Sequence, residues 1–384
     1  MKNLHHDIIL NILSRLPYQC IINCKLVCKR WRDLLSNIKA GLVFKLGSFR
    51  GRLYYGGEEY CDDINIHEKE YSYETLPEMD NLYPLDDQLE PLRALGDLVG
   101  SCNGLVCLKI FDLDAWVQDS IYICNPVTRE YIYLPKYIYG DGDSHHRGYF
   151  VCGFGYSYST DEYKVVRMYR RYGNFSDVSS KVQVYTLGSG QGWRDKGRLD
   201  HLLCPSSPGV CANGALYWSG FGKIVSFDLA KEEFRIIPLP PIPSKKKLPV
   251  SPCLRLLRGY LSAIKYTRGE ERTFLRIWEL KKKSRCTNSA IEEPAFDDLW
   301  YWNEELSFSW ENTGTMDRLY LPFAVTNSNQ VLLWCGGFLF YYDLHTTNLT
   351  KLWGEDWLCS NKAIPHVNSL VSMKALGEKS KKRI

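Results

Sequence analysis

From about residue 97 onward the chain is written in short apolar runs of period two, each closed by a turn signal. Eight of them are LVCLKIF (105–111), SIYICN (120–125), EYIYLP (130–135), FVCGFGYS (150–157), EYKVVRMY (162–169), KVQVYTL (181–187), ALYWSG (215–220) and KIVSFDL (223–229). Alternation puts successive side chains on opposite faces of a strand, and Asn-Gly and Gly-Gly pairs supply the positive φ of tight hairpins. No helical pattern of about 10–15 residues intervenes, which argues against a parallel α/β sheet and predicts an all-β body. The aromatic content, 14% with 26 Tyr and 11 Trp, agrees, because flat rings pack well on a pleated surface.

Within this body a weak repetition is visible. SCNGLVCL (101–108), CANGALYW (211–218) and WCGGFLFY (334–341) each place a Gly-containing turn before an apolar strand. A second signature follows each: IYICNPVTREYIYLP (121–135), IVSFDLAKEEFRIIPLP (224–240) and LFYYDLHTTNLTKL (339–352). In these, apolar residues lead to Asn125, Asp228 or Asp343, whose side chain can accept backbone N–H bonds and start a turn. The wide spacing makes these alternate units of a larger series. A propeller or related radial assembly, which closes to protect its strand edges, is the expectation, and a two-sheet sandwich is the alternative.

The first 45 residues have a different character. Ile8, Ile9, Ile12, Leu13 and Leu16 form a helical stripe that Pro17 stops, and further short helices are predicted through 20–26 and 29–36. Three helices in about 40 residues enclose little apolar surface, so this module is expected to borrow core from a partner. Residues 1–45 hold eight Lys or Arg against two Asp, whereas residues 58–90 hold twelve Asp or Glu against Lys69 alone. The acidic stretch, with Pro77 and Pro84, reads as a linker or long loop. The expected division is a three-helix module at 1–45, an acidic linker at 46–96, a β domain at 97–356 and a tail at 357–384.

No apolar run is long enough to span a bilayer, and Asp7, Asn11 and Arg15 interrupt the N-terminal one, so no membrane association is expected. The fourteen cysteines are scattered without C-x-x-C pairs, as in a reducing cytoplasmic or nuclear compartment. Cys20, Cys24 and Cys28 share a helical face and read as small buried hydrophobes.

At this point the sequence resembles a known family. Residues 4–36, through ILSRLP (12–17) and VCKRWRDLL (27–35), resemble an F-box, the adaptor-docking module of cullin-based ubiquitin ligases. GSCNGLVCL (100–108), NPVTREYIYLP (125–135), GFGYSYSTDEYKVVR (153–167), VQVYTLGSGQGWR (182–194), GVCANGALYW (209–218) and IVSFDLAKEEFRIIPLP (224–240) are similar to the plant F-box-associated, kelch-like domain. The resemblance implies a non-catalytic substrate receptor of an SCF-type ligase. Leu4, Ile8, Ile9, Ile12, Leu13, Leu16, Pro17, Val27 and Trp31 would dock or pack against a Skp-family adaptor, and through it reach cullin and RING subunits. The β domain would hold a target protein. Where the family usually begins Leu-Pro, this chain reads Leu4-His5-His6-Asp7, without the proline that presets the first helical turn. The alternative is a protein- or glycan-binding β module whose ligase coupling is lost.

There is no G-x-S-x-G elbow, H-E-x-x-H or P-loop, and no cofactor or metal is expected. GSGQG (188–192) lacks the Lys-Ser/Thr of a phosphate cradle and reads as a hairpin loop, and DGDSHHRG (141–148) as a polar surface loop. The basic clusters at 245–247, 281–285 and 379–383 lack interleaved aromatics, so nucleic acid is not an expected partner. Trp193, Trp300, Trp302 and Trp310 are candidates for either core or exposed anchor.

Overall fold

The computed structural model describes residues 41–46, 52–56, 93–112, 117–136, 148–171, 179–205, 207–241, 251–283, 300–311, 319–326, 329–354, 362–367, 369 and 371–382. Among the described residues there are 24 strands in six sheets and no helix. The three helices expected at the N-terminus lie outside the described residues.

The strands β1 (Gly41–Leu46) and β2 (Arg52–Gly56) belong to a three-stranded sheet completed from far along the chain. Five larger sheets follow in strict sequence. Blade 1 is β3 (Arg93–Cys102), β4 (Leu105–Asp112), β5 (Val117–Cys124) and β6 (Glu130–Tyr133). Blade 2 is β7 (Gly148–Ser157), β8 (Glu162–Arg171), β9 (Ser180–Thr186) and β10 (Trp193–Leu199). Blade 3 is β11 (Val210–Ala212), β12 (Ala215–Gly220), β13 (Lys223–Asp228) and β14 (Phe234–Ile237). Blade 4 is β15 (Cys253–Leu257), β16 (Tyr260–Arg268), β17 (Arg272–Lys282) and β18 (Trp300–Glu311). Blade 5 is β19 (Leu321–Val325), β20 (Gln330–Cys335), β21 (Phe338–Asp343) and β22 (Leu349–Gly354). Then β23 (Lys362–His366) pairs with β1, and β24 (Lys381–Lys382) adds a fifth strand outside β6.

All of these pairings are antiparallel, and the four strands of each blade follow one another as a meander. The first strands stand side by side in the order β3, β7, β11, β15, β19 and β23, and β23 returns to β3, so the sheets close a ring. A propeller is the result, which removes the sandwich alternative. The β body therefore extends beyond the expected 97–356 span at both ends, since β1 and β24 are paired within it.

Radial stacking explains the burial. Inner strands lie between two neighbouring blades, so both faces are covered and β7 and β8 are buried almost throughout, whereas outermost β10 is largely exposed. Each pair of adjacent blades encloses its own core: Phe154, Ile123 and Val165 between blades 1 and 2, Trp218, Val166 and Phe227 between blades 2 and 3. Trp218 shows how closely the blades approach. Its indole N–H donates to Cys152 O at 3.2 Å, and a Cβ at Gly153 would lie 2.6 Å from its ring. Only glycine admits that wedge.

Antiparallel meanders put the connections on two faces. At one face, the turn face, the strands within a blade are joined by short turns, except for β17 and β18, and β23 leads there into the longer C-terminal segment before β24. At the opposite face, the loop face, stand the ends of the strands that are joined in sequence by residues 134–147, 172–179, 200–209, 238–252, 312–320 and 355–361. WCGGFLFY departs from its expected equivalence here. Gly336 and Gly337 join the second and third strands of blade 5 on the loop face, whereas residues 103–104 and 213–214 join first and second strands on the turn face. An apolar strand after a glycine pair looks the same in sequence at either hairpin.

Candidate functional site

The turn face is built for rigidity. Asn125 accepts the backbone N–H groups of Val127 and Thr128 at 2.8 and 3.3 Å, and Asp228 those of Ala230 and Lys231 at 2.9 and 2.8 Å. Asp343 does the same with His345 and Thr346, at 2.8 and 3.1 Å, and these N–H groups hold its carboxyl below the usual range. In each turn the fourth residue on, Arg129, Glu232 or Thr347, has positive φ. The three turns close the third hairpins of blades 1, 3 and 5, the alternate units expected from their spacing.

Carboxylates fasten neighbouring pieces across this face. Glu232 of blade 3 receives Lys164, Arg194 and Lys196 of blade 2, at 3.0 Å from Lys164 Nζ, 2.8 Å from an Arg194 nitrogen and 2.6 Å from Lys196 Nζ. Burial opposes its charge, but hydrogen bonds from Arg194, Lys196 and Lys164 prevail and bring it down to about 2. Glu130 accepts from Ser372 Oγ at 2.9 Å and from the Met373 N–H at 2.6 Å, and Glu378 accepts from the Gly188 N–H at 2.7 Å. With Asn125 Nδ2 donating to Ser369 O and Val371 O at 3.0 and 2.7 Å, these contacts strap the C-terminal segment over blades 1 and 2. Met373 is fully buried in the core between them.

The loop face displays apolar side chains on braced supports. Phe221, 48% exposed, occupies a two-residue turn of blade 3. Its N–H donates to Leu202 O at 3.3 Å, Cys204 N–H donates to Ser219 O at 2.9 Å, and Ser251 Oγ donates to Gly220 O at 3.0 Å. Lys223 Nζ lies 3.1 Å from His201 Nδ1 beside the same turn. Leu319, 51% exposed, leads into blade 5 next to Tyr320, which packs edge-on against Trp310 and accepts from Tyr266 through its carbonyl at 2.6 Å. Phe274 is a third exposed apolar side chain near this face, in blade 4. Such rings on fixed backbone cost little ordering when a protein surface covers them.

The direction of the chain sets the two faces apart. Gly41 pairs with His366 at the turn-face end of β23, and Lys45 pairs with Lys362 at the loop-face end. Gly41, the first described residue, therefore stands at the turn face, where the C-terminal strap also lies.

A family model described as F-box associated beta propeller domain matches residues 84–372, and one described as F-box domain matches residues 1–40. The chain belongs to the F-box-associated beta propeller family. Its relatives in Arabidopsis thaliana include an F-box protein 29% identical over 317 residues, covering 73% of this chain and 70% of the relative. A putative F-box protein is 27% identical over 92% of this chain and 90% of its own length. F-box protein CPR1 is 26% identical over 97% of this chain and 89% of its own.

The adaptor-docking positions expected of this F-box protein, Leu4, Ile8, Ile9, Ile12, Leu13, Leu16, Pro17, Val27 and Trp31, lie outside the described residues, as does the whole acidic 58–90 stretch. The propeller tryptophans can now be sorted. Trp193 donates to Pro135 O at 2.8 Å with the Arg167 guanidinium 3.7 Å over its ring, and Trp302 donates to Pro238 O at 2.9 Å. Trp300 and Trp302 pack on the core between blades 3 and 4, and Trp310 on that between blades 4 and 5. All four are partly buried braces. The GSGQG segment forms the β9–β10 connection, with positive φ at Gly188, Gly190 and Gly192. Lys281 is paired with Glu305 at 2.7 Å, and Lys381 and Lys382 are strand residues. Phe221 was missed in the sequence, although a phenylalanine inside a two-residue turn between ALYWSG and KIVSFDL has no packing partner within its own hairpin.

Proposed function

We propose that this F-box protein is the substrate-receptor subunit of an SCF-type ubiquitin ligase. Its N-terminal helices dock a Skp-family adaptor, which links to cullin and RING subunits, and the loop face of its propeller holds the target protein. The observation that carries this reading is the F-box match over residues 1–40, immediately before a strand that starts at the turn face. An adaptor held there leaves the loop face open toward the rest of the ligase. Most of the long connections join strands that end at that face, and such connections are the variable, function-bearing parts of rigid scaffolds. The receptor supplies no catalytic group; it acts by holding target lysines at high local concentration near the ubiquitin carrier. A cytoplasmic or nuclear site of action accords with this role.

Target capture tests the assignment of the face. Full-length chain carrying Phe221→Ser and Leu319→Ser should recover its target about tenfold less well than wild type, with adaptor recovery unchanged. Unchanged target recovery by that variant, with loss on Tyr158→Ala at the turn face, would overturn it.

A further inference from the structure

The described cysteines are not alike. Cys107, Cys124 and Cys152 are buried in the blade cores, and burial pushes their thiols up. Cys102, at the end of β3, and Cys211, in β11, are partly exposed at the inner rim of the turn face. They are 109 residues apart in the chain, yet their Sγ atoms are 4.0 Å apart. Strand β7 stands between their two strands, and its Gly155 makes the meeting possible: a Cβ there would lie 2.7 Å from Cys211 Sγ. Exposed Tyr158 stands over the next turn, its ring edge-on to Tyr156 at 4.9 Å.

We propose that Cys102 and Cys211 form a dithiol modification site whose reactant is a small-molecule disulfide of the glutathione class. Disulfide formation needs the two sulfurs to close from 4.0 Å to about 2 Å. The thiols are unequal in the way such exchange requires. The hydrogen bond between them holds Cys211 below its ordinary range, against burial and with help from the Tyr156 backbone, while the same bond and burial raise Cys102.

The Cys211 thiolate attacks one sulfur of glutathione disulfide, forming a mixed disulfide and expelling glutathione thiolate. The Cys102 thiol then gives up its proton and attacks Cys211 Sγ, expelling the second glutathione. The pair is oxidised by two electrons and glutathione disulfide is reduced to two glutathiones. The product ties blade 1 to blade 3 across the inner strand of blade 2, beside the face where β1 begins.

The test is mass spectrometry on the full-length chain treated with glutathione disulfide and quenched with an alkylating agent. The expected result is a peptide pair joined through Cys102 and Cys211, each losing one hydrogen, reversed by dithiothreitol. Cys102→Ser should stop the reaction at a stable glutathione adduct on Cys211. Full alkylation of both cysteines after oxidation, or the same persistent Cys211 adduct in wild type as in Cys102→Ser, would overturn the proposal.

Discussion

Glu232 gathers three cations of the neighbouring blade onto one carboxylate, with its side chain only 10% exposed. Removing its charge leaves Lys164, whose side chain is 4% exposed, with Glu162 and the Leu229 carbonyl as remaining partners. Glu232→Gln should therefore cost about 1–3 kcal/mol in urea unfolding near neutral pH. The sign of the pH dependence follows from its lowered pKa. A carboxyl more acidic when folded than unfolded stabilises fully above its ordinary range, and that contribution fades as pH falls toward the folded value of about 2. Wild type and variant should converge in acid; a gap that stays constant between neutral and acidic pH would contradict the ion-pair account.

At the scale of elements, the Asn125 and Asp228 turns have the same acceptor geometry but different neighbours. Asn125 is fully buried and also donates to two strap carbonyls, whereas the Asp228 carboxylate only accepts, from Ala230 and Lys231. Asn125→Asp keeps the turn but sets a carboxylate oxygen against Ser369 O and Val371 O, so it should cost about 1–3 kcal/mol and expose the 369–382 strap to protease. Asp228→Asn should stay within about 0.5 kcal/mol of wild type. Equal effects in thermal unfolding would mean that the strap is not held by this side chain. The turn chemistry was legible beforehand because an Asx turn is a local event: one side chain, two N–H groups, three residues. The eight apolar runs are strands for a related reason, since inner strands stacked between blades must be apolar on both faces. Outer β10, WRDKGRL, carries no such signal because little of it is buried. The exposed aromatics were not legible either, since exposure of a ring depends on which blade lies beside it.

Across the whole molecule, the ring closes through contacts that no local pattern announces. β1 pairs with β23 more than 300 positions away, so the N-terminal strands finish the sheet that the last inner strand begins. This closure ties the junction with residues 1–40 to the rigid body, and a receptor needs that if it is to hold a target in a fixed relation to the ligase. Closure also fixes the face at which β1 begins, a property of the assembled ring that the strand pattern alone leaves open. The central claim is that the same chain couples this propeller to a ubiquitin ligase adaptor. Calorimetric titration of a purified Skp-family adaptor into the full-length chain tests it most directly. The account predicts a one-to-one complex, weakened at least about tenfold by Leu13→Asp within the helical stripe. Absence of binding by the folded wild-type chain, or binding indifferent to Leu13→Asp, would contradict it.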